Sequence, residues 1–128
     1  MIGGGVGTAL ADINLKLGST TTGYYAGYSR VNYSGASAAL ASDNNASAFS
    51  RFGSASTDTL FANCDLSNPY ATKRTIINGF NAFQNSSISG GAFGGFLDDA
   101  TSYTSFTVVI SSGTATGGTI AVYGYNNG

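Results

Sequence analysis

Histidine, tryptophan and glutamate are absent from this sequence, and each absence removes chemistry. Without histidine there is no imidazole base, so a hydrolase built on a Ser–His or Cys–His pair is excluded. Without glutamate, any carboxylate chemistry rests on aspartate alone. The single cysteine, Cys64, allows neither an internal disulfide nor a cysteine-ligated zinc site. Charged residues make up only 9 % of the chain, against about 25 % in an average globular domain. Lys73 and Arg74 are the only adjacent cations, so the basic stripe of a nucleic-acid site is missing. No apolar run reaches the about 18 residues of a membrane helix. The start, Met1-Ile-Gly-Gly-Gly, lacks a charged segment followed by an apolar one, so no secretory leader is expected and synthesis in a cytosol is the default.

What is present points to β-structure. The 128 residues fit one domain of ordinary size. Apolar residues are 42 % of the chain, and eight tyrosines and eight phenylalanines are among them. Disordered chains carry high net charge and few aromatics, whereas the net charge here is −1. With 19 glycines and many serines, threonines and asparagines, the composition fits strands joined by tight turns. Net charge near zero gives little colloidal repulsion, which suits a protein held in an assembly.

Period-2 alternation carries the strand assignments. Residues 1–10 read as a flexible arm ahead of a single β-sandwich domain over 11–128. Ile13, Leu15 and Leu17 alternate with Asn14 and Lys16 in a first amphipathic strand. Tyr24 to Tyr33 forms a tyrosine-rich second strand. Ser34 to Asn45 reads as a loop of small residues, and Ser47 to Phe52 as a short strand. Thr59 to Asn68 places Leu60, Ala62, Cys64 and Leu66 on one face, with Pro69 at its end, where a missing N–H costs least. Thr72 to Phe83 continues as a strand with Gly79 as a candidate bulge. Asn85 to Ser87 is a turn, Ser89 to Leu97 a glycine-dense, bulged or closely packed strand, and Asp98 to Ser102 a loop. Phe106, Val108 and Ile110, then Ile120 and Val122, predict a half-buried closing hairpin. About eight short strands with turn signals every 8–12 residues are the mark of a sandwich or barrel. The expected fold is an all-β, antiparallel, jelly-roll-like sandwich.

Candidate chemistry is sparse. Cys64 falls on an apolar face, where a thiol packs as a small hydrophobe. Asp98, Asp99, Thr101 and Ser102 supply some of the oxygens a Ca²⁺ site needs, but a solvated loop explains them as well. Nothing marks a pair of aspartates as a glycosidase dyad. The runs Gly3-Gly-Gly-Val-Gly7 and Gly90-Gly-Ala-Phe-Gly-Gly95 lack the Gly-Lys-Ser/Thr and the helix of a phosphate loop. No catalytic residue, metal site or cofactor is expected. The tyrosines are the one enrichment with a functional reading. Tyr24, Tyr25, Tyr28, Tyr33, Tyr103 and Tyr125 suit a subunit interface or a glycan-binding surface, because tyrosine buries area at low entropic cost; core packing is the alternative. Lys73 and Arg74 either face solvent or meet an acidic patch on a neighbour.

The order of three blocks carries a resemblance. They are Ile13-Asn-Leu-Lys-Leu-Gly-Ser-Thr-Thr-Thr-Gly-Tyr-Tyr25, Cys64-Asp-Leu-Ser-Asn-Pro-Tyr-Ala-Thr-Lys-Arg-Thr-Ile76, and the segment Phe106 to Gly124 that closes on Tyr-Gly. Together they resemble the small β-sandwich domains of bacteriophage virion proteins, found in capsid decoration proteins and in tail or head fibres. The resemblance implies a non-enzymatic structural protein of the virion. It implies a homotrimer that binds the major capsid protein or other virion proteins, with no nucleic-acid or membrane partner. The interface residues expected on this reading are Tyr24, Tyr25, Tyr28, Tyr33, Lys73, Arg74 and Tyr125, with the arm lying along the capsid or a neighbouring protomer. The alternative is a receptor-binding fibre tip that recognises host surface glycan; a glycan-cleaving virion enzyme using two aspartates is a third, weaker reading.

Overall fold

The computed structural model describes residues 2–3, 11–35, 37–55, 59–84 and 88–125. Ten strands follow in chain order: β1 (Ile2–Gly3), β2 (Ala11–Leu17), β3 (Tyr24–Asn32), β4 (Ala38–Ala46), β5 (Phe49–Ala55), β6 (Leu60–Ser67), β7 (Thr75–Gln84), β8 (Ile88–Leu97), β9 (Phe106–Ile110) and β10 (Thr119–Ile120). They form two antiparallel sheets, one of seven strands in the order β10-β1-β6-β7-β8-β3-β4 and one of three in the order β5-β2-β9. The expected all-β sandwich is therefore the fold, with no helix among the described residues.

The core lies between the sheets and follows from alternation. In β2, Ala11, Ile13, Leu15 and Leu17 are all buried and the residues between them are half-exposed. They meet Leu60, Ala62, Ile77, Phe83, Phe93 and Leu97 of the large sheet. Two edge-to-face aromatic pairs bridge the sheets, Tyr24–Phe49 at 4.9 Å and Phe52–Phe93 at 5.5 Å between ring centroids. Such pairs add about 0.5–1.5 kcal/mol each beyond the area they bury.

Several expectations are corrected. The segment read as a loop from Ser34 to Asn45 contains β4, nine residues paired along β3. Its sequence, Ala-Ala-Leu-Ala-Ser-Asp-Asn-Asn-Ala, has no apolar period, because as an edge strand it takes its geometry from the β3 ladder rather than from a buried face. The closing hairpin does not form. β9 pairs with β2 in the small sheet, while β10 pairs with β1 in the large one. Val108 and Ile110 pack on the core, but Ile120 and Val122 are 55 % and 67 % exposed. Gly79 is not a bulge: the pairing of β7 runs in unbroken register through it on both sides. It is glycine for lack of space, since a Cβ there would strike the Asn63 carbonyl oxygen and the Phe93 ring. The glycine-dense β8 is likewise regular and sits inside the large sheet between β7 and β3. The strand read from Thr72 begins at Thr75, so Lys73 and Arg74 lie in the preceding loop. Of the expected arm, Ile2 and Gly3 pair with Ala62 and Phe61 of β6; the rest of it, and the turn expected at 85–87, lie outside the described residues.

Candidate functional site: the outer face of the large sheet

The residues expected at an interface do not gather at one place. Tyr24 is fully buried and is corrected from interface to core. The Leu17 N–H donates to its hydroxyl at 2.9 Å, and that hydroxyl lies 3.2 Å from the Thr20 carbonyl; burial pushes the phenol up from its ordinary pKa. Tyr103 is also buried. Its hydroxyl donates to Asp99 Oδ2 and sits against Thr20 Oγ1, both at 2.7 Å. Tyr28 points inward and is half-buried, its hydroxyl 2.7 Å from an Arg51 guanidinium nitrogen. Arg74 is engaged within its own chain, its Nε 2.6 Å from Asp98 Oδ1, and Lys73 is exposed beside it. Asp98 and Asp99 are thus committed to different partners, Arg74 for the first and Thr101 and Tyr103 for the second. No group of three His, Cys, Asp or Glu side chains is placed to hold a metal ion among the described residues.

Tyr25, Tyr33 and Tyr125 do share a surface, the face of the seven-stranded sheet turned away from the core. Tyr25 stacks on Phe96 with centroids 5.0 Å apart and planes 8° from parallel. Tyr33 follows β3 with its hydroxyl over Gly90. Tyr125 donates to Asp65 Oδ1 at 2.8 Å, and this carboxylate pushes the Tyr125 phenol up.

The registers of β6, β7, β8, β3 and β4 place the outward residues in rows across that face. One row is Asn63, Phe80, Ala92, Ser29 and Leu40; the next is Asp65, Asn78, Gly94, Gly27 and Ser42; the third is Ser67, Ile76, Phe96 and Tyr25. Asp65 is the single charge in these rows, and Tyr125 bonds to it. Phe61, Ile76, Phe80 and Phe96 all keep 39–48 % of their surface exposed, and Leu40 keeps 80 %. In the middle row the cross-strand glycine pair Gly27–Gly94 floors an open depression of about 620 Å³, bordered by Ser29, Leu40, Ser42 and Ala92. A Cβ on Gly27 or Gly94 would meet its nearest neighbour at an ordinary 3.5 Å. Packing within the chain therefore does not demand glycine at either position. Glycine inside a strand weakens it and marks close approach of a ligand or another backbone.

The aromatic and aliphatic residues of this face lie outside the tyrosine enrichment that marks the sequence. A signal was available. β7 is apolar in both phases, with Ile77 and Phe83 turned to the core and Ile76 and Phe80 turned away. A strand whose two faces are both apolar needs cover on both.

No protein-family model, curated protein or solved structure matches the chain. The class the fold defines is the all-β antiparallel sandwich.

Proposed function

We propose that this chain is a structural protein of a bacteriophage virion, a decoration protein that caps the head lattice by docking the outer face of its large sheet on capsid subunits. The observation that carries the reading is that face: nearly uncharged, lined by half-exposed Phe61, Ile76, Phe80 and Phe96, and hollowed into an open depression where Gly27 and Gly94 meet. Contiguous exposed apolar surface on a soluble domain marks a protein contact. The resemblance of the three sequence blocks to phage virion domains supplies the partner, and with it a homotrimeric form located in the virion. The mechanism is mechanical, since added buried interface raises the barrier to rupture of a shell under internal pressure. No catalytic step is part of this reading.

Charge placed on the face tests it. Ala92→Asp together with Gly94→Asp puts two like charges into the proposed contact, where burial of an unpaired charge costs several kcal/mol. Each about 1.4 kcal/mol is tenfold in affinity. Binding of the double variant to purified capsid shells, read by co-sedimentation, is expected to fall at least tenfold while the melting temperature stays near that of the parent. Unchanged binding refutes the docking face.

A second reading, a fibre tip that recognises host surface glycan, is favoured by Tyr25, Tyr33 and Tyr125 lying on one face. It predicts saturable binding to a host polysaccharide and no affinity for capsid shells.

A further inference from the structure

We propose that Arg30 and Arg51, gathered around Tyr28 on the inner side of the large sheet, form a binding site for a carboxylate group. Three observations lead there. The first is convergence of like charge. Arg30 lies over the rings of Tyr28 and Phe83, its guanidinium carbon 5.2 and 5.0 Å from their centroids, and the Arg51 guanidinium carbon is 5.1 Å from the same Tyr28 ring. Neither has a carboxylate partner among the described residues, where the one ion pair is Arg74–Asp98. Two half-buried cations on one ring repel, and an anion between them removes that cost.

The second observation is a local backbone device. Between Ile13 and Leu15 the register of β2 with β5 slips from Gly53 to Phe49, and Arg51 within the slip has φ 59°. That region is unfavourable for a non-glycine residue. Such strain persists only where surrounding contacts fix it, and it concentrates at functional sites. Here three side chains fix it. The Arg51 N–H donates to Asn14 Oδ1 at 3.2 Å, Asn81 Nδ2 donates to the Phe52 carbonyl at 3.2 Å, and Arg51 Nη1 donates to the Tyr28 hydroxyl at 2.7 Å. Bulges re-aim side chains, and this one aims Arg51 across the gap between the sheets.

The third observation is shape. Tyr28, Arg30, Arg51, Ser54 and Asn81 border a semi-enclosed slot of about 10 Å³, room for about one water molecule. Gly91, opposite Arg30 in the ladder, also borders it. Guanidinium groups match the planar two-oxygen edge of a carboxylate with paired N–H donors.

The test is titration of the ¹⁵N-labelled full chain with sodium acetate, then sodium glucuronate, observing the arginine Nε–H resonances at constant ionic strength. Both anions are expected to shift the Arg30 and Arg51 signals saturably and with similar affinity, glucose not at all, and sulfate at least tenfold more weakly. Arg51→Ala is expected to weaken acetate at least tenfold, and Lys16→Gln to leave it unchanged. Should Arg51→Ala fail to fold, Arg30→Lys serves, keeping the charge and losing the planar fork. Absence of a saturable shift, or equal affinity in the arginine variants, overturns the site. Sulfate binding as tightly as acetate overturns its assignment to carboxylate.

Discussion

Replacing Tyr24 with phenylalanine isolates one buried hydroxyl. The ring stays, and with it the edge-to-face contact to Phe49 at 4.9 Å. What is lost is the acceptor for the Leu17 N–H, 2.9 Å away, and a donor to the Thr20 carbonyl. Leu17 is 1 % exposed, so water does not replace the partner, and a buried donor left unsatisfied costs about 1–3 kcal/mol. For a chain of this length each kcal/mol is roughly 4 °C in melting temperature, so Tyr24→Phe is expected to melt about 4–12 °C below the parent. Tyr24→Ala removes the ring as well and is expected to cost about 3–5 kcal/mol. Urea unfolding followed by circular dichroism reads both, with the midpoint falling and the slope unchanged. A Tyr24→Phe variant as stable as the parent but defective in assembly would refute the placement of this residue in the core and restore it to an interface.

Other outcomes follow from the same contacts. Gly79→Ala drives a Cβ against the Asn63 carbonyl oxygen and the Phe93 ring and is expected to cost about 1–3 kcal/mol, whereas Gly94→Ala finds ordinary 3.5 Å contact and is expected to gain about 0.4–1 kcal/mol; urea midpoints separate them. Burial pushes the Cys64 thiol up to about 11, so near pH 8 its reaction with a disulfide reagent is expected to be about 100-fold slower in the folded chain than in urea, following the thiolate fraction. Hydrogen bonds from the Thr101 and Tyr103 hydroxyls hold Asp99 below its ordinary carboxylate value. A depressed folded-state pKa stabilises above the unfolded value and loses that contribution as pH falls through the folded one. Asp99→Asn is therefore expected to be less stable than the parent at pH 6, with the difference closing below about pH 3.9.

The sandwich was legible where one phase of a strand is apolar and the other polar. β2 and β6 are such strands, and both stand where alternation puts them. β4 was illegible because an edge strand of alanine, serine and asparagine has no face to bury. The last two strands misled because proximity in sequence and a Gly/Ser/Thr loop signal a hairpin, while their pairing with β2 and β1 is set by tertiary contacts no local pattern encodes. The candidate face was half legible. Tyr25, Tyr33 and Tyr125, expected at an interface, lie on the outer face, but Tyr24, one residue from Tyr25, belongs to the opposite phase, and in a strand one residue decides between core and surface. The Arg30–Tyr28–Arg51 cluster was invisible, since it depends on a bulge that brings Arg51 to Tyr28, 23 positions away in sequence.

The central claim, that this chain is held in a virion by its outer sheet face, is tested most directly by its copy number in purified particles, measured by quantitative mass spectrometry against the major capsid protein. The account predicts a simple fraction of the capsid subunit number, as decoration of a lattice requires. A small number matching a tail symmetry contradicts decoration in favour of a fibre tip, and absence from the particle contradicts the account altogether.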